Sequence, residues 1–317
     1  MNKVKKMMSV ALTATVLLSG MGAALPKADA AVLIGGYPDK PHLLHFKTDV
    51  SLEVLYDARR IQFDVPPKMV EGSVLVPIRF VAEKMGGKLK LNGKDITITK
   101  GDKVLKLTRD SKKASFNGKA VTLAQPAMVD RGRTLVPLRA VSEGLGVNVE
   151  WDQPNQYVWI GSKDVPKIED VIKPVDAKSY MKYYPKDDPV LTIYEVNSER
   201  FGEQKNTVRF IKTTDFPLDI GGRLVYRIDK SKGSDEKDFI RYSSNSKGEI
   251  PSGLFMPYSG KFKFLPSYTR EVLPQATLEY VPVDYYDDDV VTKLKDINYI
   301  GINLGTDSLL LMKNEWR

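Results

Sequence analysis

The chain has 317 residues, no cysteine and a formal net charge of +8, from 48 basic and 40 acidic side chains. The absence of thiols excludes disulfides and thiolate metal sites, so stability must come from buried surface. A charge excess this small, spread along the chain, argues against nucleic acid as a partner.

The first thirty residues have the pattern of a secretory signal peptide. Three lysines lie among the first six residues, residues 7–25 carry no charge, and Ala28-Asp29-Ala30 supplies small residues for a signal peptidase. We assign residues 1–30 to this peptide and expect cleavage before Ala31, which leaves 287 residues with a net charge of +5 and no membrane span. An uncleaved membrane anchor is the alternative. Export without cysteine favours a Gram-positive bacterium.

An internal repeat follows residues 31–50, which we expect to form an extended lead-in. The segment Gly72–Gly86 returns sixty residues later as Gly132–Gly146, with eight of fifteen positions identical. Such a repeat indicates a stacked supersecondary unit rather than a catalytic site. We predict that residues 51–161 consist of two copies of this unit.

Each copy carries the signals of one short helix. Pro77 and Pro137 stand where a helix begins, and Gly86 and Gly146 stand where a left-handed C-terminal cap is needed. Between these ends, apolar or small residues recur at the helical period. The predicted buried stripes are Ile78, Val81, Ala82 and Met85 in the first copy, and Leu138, Val141, Ser142 and Leu145 in the second.

The helices also repeat a pair of opposite charges. Arg79 precedes Glu83 by four residues, and Arg139 precedes Glu143 by the same spacing. We interpret these as surface ion pairs, although their recurrence suggests that the arginines also brace neighbouring strands.

Strand signals fill the spaces between the helices. Asn92-Gly93 and Asn117-Gly118 are two-residue hairpin turns flanked by alternating apolar residues, and Gln153–Gln156 marks a further turn. The predicted fold class is therefore α+β, in which a small antiparallel sheet packs on a short helix, twice over.

The second copy resembles the stalk domain found at the N-terminus of some copper amine oxidases. The resemblance rests on residues 133–146, on Val149-Glu-Trp-Asp152 after them, and on Asn117-Gly118-Lys119 before them. The first copy matches more loosely, with Asp57-Ala58-Arg59 in place of Asn-Gly-Lys and Leu91-Asn92 in place of Trp-Asp. The resemblance implies an antiparallel sheet curled around a helix, in exported bacterial proteins. The motif residues that it places in this module are Pro77, Arg79, Glu83, Gly86, Pro137, Arg139, Glu143, Gly146 and Trp151.

The resemblance does not imply copper chemistry. The metal and the quinone of the oxidases belong to a separate catalytic domain with three histidine ligands, whereas this chain has only His42 and His45. Those two have the i,i+3 spacing of a metal pair but lack a third ligand. We therefore expect no metal and no cofactor.

The second half has a different composition. Residues 162–178 are rich in charge and proline and are predicted to be a linker. Residues 179–317 contain short β-type segments separated by Gly, Pro, Ser and Asp, without a strong helix, which predicts a mostly β domain, either a sandwich or a barrel. The expected strands are Leu191–Val196, Thr207–Lys212, Arg223–Ile228, Phe239–Tyr242, Leu278–Val281 and Tyr299–Ile302.

Candidate ligand contacts lie in a loop of this half. Tyr285, Tyr286 and Asp287 combine aromatic faces with an acidic cluster, which suits a sugar ring or a protein surface. The cluster Asp284–Asp289 lacks the spacing of a calcium loop, so a turn or a solvated loop is the favoured interpretation.

These features together predict an exported, non-catalytic cell-envelope protein. In this prediction the stalk module presents a β-rich binding domain to a cell-wall polymer, a glycan or an envelope protein. One alternative is an extracytoplasmic wall-active hydrolase with its site in the second half, since carboxylates are plentiful. The other is a structural spacer without a ligand.

Overall fold

The computed structural model describes residues 30–33, 43–180, 207–246, 254–258, 261–265, 269–283, 293–302, 304 and 308–317. These residues form a mostly β protein with few helices. None of the helices in the described segments combines the length and the apolar character that crossing a membrane requires.

Residues 43–161 contain short strands and the two predicted helices, after one strand at residues 30–33. In chain order the elements are β1 (Ala30–Leu33), β2 (Leu43–Thr48), β3 (Glu53–Tyr56), β4 (Arg59–Arg60), β5 (Lys68–Val70), β6 (Ser73–Pro77), α1 (Ile78–Lys84), β7 (Lys88–Asn92), β8 (Asp95–Lys100), β9 (Lys103–Thr108), β10 (Lys113–Phe116), β11 (Lys119–Thr122), β12 (Met128–Asp130), β13 (Arg133–Pro137), α2 (Leu138–Leu145), β14 (Val149–Asp152) and β15 (Tyr157–Ile160).

The rest of the described chain is almost entirely strand. It contains α3 (Ile168–Val171), β16 (Val175–Asp176), β17 (Thr207–Ile211), β18 (Leu218–Ile220), β19 (Arg223–Gly233), β20 (Asp238–Ser244), β21 (Leu254–Tyr258), β22 (Lys261–Leu265), β23 (Thr269–Val272), β24 (Thr277–Pro282), β25 (Tyr299–Ile302), β26 (Leu309–Lys313) and 3-10 turns at Thr213–Asp215 and Leu294–Asp296.

Residues 51–161, here called the repeat module, form three sheets that each combine strands from both copies. The first has the order β12-β13-β6-β5, so the strands that precede the two helices pair with each other. The second is the meander β11-β10-β9-β8-β7, and the third is β14-β15-β3-β4, in which β15 pairs in parallel with β3. The expected arrangement of one separate sheet and helix for each copy is not confirmed, because the strands of the two copies interleave.

One hydrophobic core joins these sheets to both helices. It includes Val76 and Val136 from the paired strands, Val81 from α1 and Leu138 from α2. The predicted stripes are confirmed, since all eight of their residues are buried. The apolar face of each helix therefore lies against strands that come from both copies.

The helix ends follow the predicted chemistry with a shift of one residue at the start. Pro77 and Pro137 are the last residues of β6 and β13 and serve as N-caps, immediately before the helices begin. Gly146 caps α2 with a left-handed φ of 64°, and Gly86 follows the end of α1 with φ 75°. Because both prolines keep their places in the strand pairing, each strand passes directly into its helix.

The hairpin turns repeat with the same period as the sequence. Asn117 and Gly118 have φ angles of 49° and 83°, and Asp57 and Ala58, sixty residues earlier, have 46° and 57°. Positive φ at both central residues is the type I′ geometry that suits a two-residue hairpin. In the hairpin of β7 and β8 the turn lies one residue later than predicted, since Asn92 pairs with Asp95.

The remaining strands form two sheets, here called the β unit, that share one core. Their orders are β1-β2-β19-β20-β24-β23, with β18 beside β19, and β16-β17-β26-β25-β21-β22. Ile228 and Ile240 from the first sheet and Ile300 and Leu310 from the second belong to one buried cluster. This arrangement corresponds to the sandwich alternative. Of the expected strands, those beginning at residues 207, 223, 239, 278 and 299 are present, and Leu191–Val196 lies outside the described residues.

Both segments that flank the repeat module pack into the β unit. Strand β2 pairs with β19, so residues 43–48 are part of a sheet rather than an extended lead-in. Within residues 162–178, Ile168 is fully buried in the core of the β unit and β16 pairs with β17. The segment expected to be a linker is therefore held in the fold by the buried side chain of Ile168. Its charged and proline-rich composition gave no indication of this contact.

Candidate binding cleft

The repeat module meets the β unit at the turn between β14 and β15. The carbonyl of Asn155 in this turn accepts a hydrogen bond from Nη1 of Arg227 at 2.9 Å, and its side-chain oxygen accepts one from Oγ of Ser243 at 2.6 Å. The Asn155 amide in turn donates to the carboxylate of Asp152 at 3.0 Å. A buried and satisfied asparagine thus fixes the turn on strands β19 and β20.

A chain of alternating charges crosses the junction. Arg60 lies 2.5 Å from Glu53, Glu53 lies 3.3 Å from Arg227, Arg227 lies 3.0 Å from Asp229, and Asp229 lies 2.8 Å from Arg241. The side chains of Arg227 and Arg241 are only 4% and 2% exposed. Because each carboxylate lies between two guanidinium groups, the burial of both anions is compensated.

Backbone carbonyls accept the remaining hydrogen bonds of these arginines. Arg60 donates through Nε to the carbonyl of Phe216 at 2.8 Å, and Arg227 donates through Nη1 to the carbonyl of Ser51 at 2.9 Å. Arg241 donates to the carbonyl of Pro154. Each arginine therefore joins a strand of one unit to the backbone of the other.

Tyr157 lies inside this network. Its hydroxyl accepts a hydrogen bond from Nη2 of Arg60 and donates to the carbonyl of Tyr226, both at 2.8 Å. Burial raises the pKa of the Tyr157 hydroxyl, so it stays protonated and keeps its role as a donor. Burial alone would lower the pKa of Arg227, but the charges of Asp229 and Glu53 raise it above its ordinary value. The Tyr157 hydroxyl and the Arg227 guanidinium therefore keep their protons across the neutral pH range.

A cleft of about 760 Å³ opens beside this junction and takes its lining from both units. The repeat module contributes Ser51, Glu53 and Arg60 to the lining. The β unit contributes parts of β2 and β19 and the side chain of Trp316. The volume lies within the range of roughly 300–1,000 Å³ typical of small-molecule sites.

One wall of the cleft is basic. Lys47 on β2 lies directly opposite Lys232 on β19, and Lys230 follows two positions away on the same face of β19. Asp238 on the next strand lies 3.4 Å from Lys232 and 3.7 Å from Lys230. His45 continues the same face of β2 and is exposed.

Trp316 gives the cleft an aromatic surface. Its backbone N–H donates to the side-chain oxygen of Asn314 at 3.0 Å. The Asn314 amide is buried and donates to the carbonyls of Leu294 and Ile297 at 2.7 and 2.9 Å. The indole is partly buried against the core of the β unit, and this packing limits the orientations that it can adopt.

Tyr285, Tyr286 and Asp287 lie outside the described residues, as does His42. His45 is exposed on β2, and no group of three or more potential metal ligands occurs among the residues that the structure describes.

The predicted motif residues have mainly structural surroundings. Arg79, Glu83, Arg139 and Glu143 are all exposed, and within the described part of the chain neither arginine forms a salt bridge with its glutamate. Trp151 is partly buried against the module core. None of these five residues lines the cleft.

Sequence reasoning missed the residues that form the cleft. Arg227 and Asp229 are two positions apart on β19, a spacing that places both on one face, although the predicted strand Arg223–Ile228 ended one residue before Asp229. That alternation was the available signal. It could not identify Glu53, which is 174 residues away in the chain, as the partner.

Comparison with known proteins identifies only the repeat module. Residues 55–160, about a third of the chain, match the family model of the copper amine oxidase N-terminal domain. The resemblance drawn from the motif residues is thus confirmed for this segment, and in the oxidases this domain is the non-catalytic part. No curated protein and no solved structure shows significant similarity to this chain.

Proposed function

We propose that this is an exported, non-catalytic protein of the bacterial cell envelope that binds a cell-wall polymer in the cleft between its two units. The observation that carries the proposal is the cleft of about 760 Å³, lined by both units beside the alternating chain of arginines and carboxylates. A site built from two units needs both in one fixed geometry, and the buried network supplies that rigidity. In this proposal the repeat module orients the binding surface and carries no chemistry.

Export and wall association rest on the sequence. The signal-peptide pattern of residues 1–30 supports secretion, and the chain keeps a net charge of +5 after cleavage. A small positive charge favours modest, salt-sensitive attraction to anionic wall material. A glycan or an envelope protein is the competing ligand.

The carboxylates at the junction support binding rather than hydrolysis. A glycoside hydrolase needs two carboxyl groups that are free to give and take protons or to attack the sugar. Glu53 lies 2.5 Å from Arg60, and Asp229 lies 2.8 Å from Arg241. Both carboxylates are committed to arginine partners, so neither is placed to protonate a bound sugar.

The proposal is tested by binding of the purified protein, residues 31–317, to peptidoglycan sacculi. Point variants are preferable to deletions, because β2 completes a sheet of the β unit. Trp316→Ala should weaken retention by roughly tenfold or more if the indole packs on the polymer. Leu91→Ala removes an apolar side chain that is 46% exposed on the repeat module and does not line the cleft, so it should leave retention unchanged.

The same experiment distinguishes the alternatives. Loss of binding only in the double variant Tyr285→Ala/Tyr286→Ala would assign the ligand to the acidic loop instead of the cleft. Release of soluble sugar during the incubation would favour a hydrolase. Absence of binding to sacculi, with all variants folded by circular dichroism, would contradict the proposal.

A further inference from the structure

The basic wall of the cleft contains an arrangement that opposes folding. Lys47 and Lys232 are cross-strand partners on neighbouring antiparallel strands, and their side chains leave the sheet on the same face. Like charges placed directly opposite in this way repel each other. Lys230, two positions along β19, extends the positive strip.

Compensation within the described residues is incomplete. Among the described residues, only the carboxylate of Asp238 lies within salt-bridge distance of this strip, and it is shared between Lys230 and Lys232. Lys47 forms no salt bridge with any residue that the structure describes. Lys232 also donates through Nζ to the backbone carbonyl of Glu236 at 2.8 Å, whereas the carboxylates of Asp49 and Glu236, which line the cleft, form no salt bridge with a lysine of the strip among the described residues. The strip thus has room for an anionic group that the protein itself does not provide.

We propose that this strip binds the phosphodiester groups of an anionic wall polymer, with Lys47 and Lys232 holding one phosphate between them. The inference rests on the proposed function and names its ligand class. An anion between the two ammonium groups removes their repulsion. The free energy that this repulsion costs the unliganded sheet is therefore recovered when the anion binds. Local conflicts of this kind are expected where a residue serves binding rather than folding.

The geometry of the strip suits a polymer with one charge in each repeating unit. Alternate residues of a strand are roughly 7 Å apart, which separates Lys230 from Lys232 along β19. That distance is comparable to the spacing of phosphates joined by a short polyol or a sugar. Trp316 lines the same cleft and offers an apolar face to the uncharged part of each unit.

The cations of the strip are lysines and not arginines, which indicates how a ligand would be held. The guanidinium groups of Arg60 and Arg227 reach the cleft but are committed to Glu53, Asp229 and backbone carbonyls. Ligand contacts are therefore left to lysines, which act as point charges and do not impose the planar two-point geometry of arginine. Binding should consequently depend on charge and weaken steeply as salt increases.

The decisive variant is Lys47→Glu. It converts the repulsive pair into an attractive one and removes no salt bridge of the described residues, so the melting temperature should stay the same or rise while binding falls at least tenfold. Lys90→Glu is the matched control, since Lys90 is an exposed strand lysine of the repeat module. Binding is measured with intact sacculi, with sacculi stripped of phosphodiester polymer by hydrofluoric acid, and with soluble inorganic polyphosphate.

The outcomes distinguish the phosphate inference from the proposed function. Binding that is lost on stripping and in Lys47→Glu supports both. Equal binding to intact and stripped sacculi keeps the proposed function and overturns the phosphate inference. Binding of polyphosphate but not of sacculi, with loss in Lys47→Glu, supports the phosphate strip and contradicts wall binding. Polyglutamate that binds as tightly as polyphosphate, or a Lys47→Glu variant that binds normally, overturns the inference.

Discussion

Val76 and Val136 lie directly opposite each other in adjacent antiparallel strands, although sixty residues separate them in the chain. They occupy equivalent positions of the two copies, so the copies meet at their own repeated strand. Both side chains are fully buried in the core that also contains the two helices. The repeat therefore produces one folded module with a shared centre rather than two units in a row.

This pairing predicts coupled effects on stability. Val76→Ala and Val136→Ala should each lower the free energy of unfolding by roughly 2–3 kcal/mol, because each leaves a cavity at the centre of the module. Since the two side chains are neighbours, the double variant should differ from the sum by more than about 0.5 kcal/mol. Val129→Ala, at a position 47% exposed, is the control for denaturant titration. Strict additivity would argue against the shared centre.

A second prediction compares two residues of α2. Leu145 is 1% exposed, and Leu145→Ala should cost about 2–5 kcal/mol of unfolding free energy. Arg139 is exposed and forms no salt bridge with Glu143 in the described structure, so Arg139→Ala should change stability by less than about 0.5 kcal/mol. Urea denaturation of both variants measures the difference. A larger loss in Arg139→Ala would mean that the arginine braces a strand.

The third prediction concerns the junction. Arg227→Ala leaves Glu53 and Asp229 without their shared buried cation and should cost about 3–5 kcal/mol. Because the lost contacts join the two units, calorimetry should show their unfolding separate into two transitions. Arg133→Ala, which breaks an exposed ion pair with Asp64, serves as the control and should keep a single transition at nearly the same temperature. A single unshifted transition in Arg227→Ala would contradict the coupling.

The fourth prediction concerns the segment 162–178. Its charge and proline content suggest an accessible linker, which limited proteolysis would cut to leave a fragment ending near Gly161. With Ile168 fully buried and β16 paired, we instead expect this segment to resist cleavage in the intact protein. Ile168→Asp should restore rapid cleavage there. Immediate cutting of the unaltered protein at residues 162–178 would contradict the observed packing.

The fifth prediction concerns pH. Burial raises the pKa of Glu271 above its ordinary value near 4.5, against the opposing charge of Arg241, and its Oε2 has no hydrogen-bond partner among the described residues. Between the unfolded and the folded pKa the native state binds more protons, so stability falls as pH rises through that window. Glu271→Gln should remove this slope and raise stability at neutral pH relative to the unaltered protein. Melting temperatures from pH 4 to pH 7 provide the measurement, and parallel curves would refute it.

The amino-acid sequence alone determined the local features of this protein. The spacing of Leu138, Val141 and Leu145 specified a buried helix face, and the pair Asn117-Gly118 specified a tight turn, because these features depend on neighbours a few positions away. The repeat and the resemblance of residues 55–160 to a known domain are likewise properties of the sequence.

Only the tertiary structure decided how these pieces combine. The strands of the two copies interleave, and β2 pairs with β19, which follows it nearly two hundred residues later in the chain. Glu53 contacts Arg227 across the junction. The backbone hydrogen bonds that join two strands are the same for every residue type. The sequence of a strand therefore does not show which distant strand it pairs with. The sequence alone does not distinguish a lysine that lies opposite another lysine from an arginine that lies beside a carboxylate. The register of β2 and β19 decides, for example, that Lys47 lies opposite Lys232.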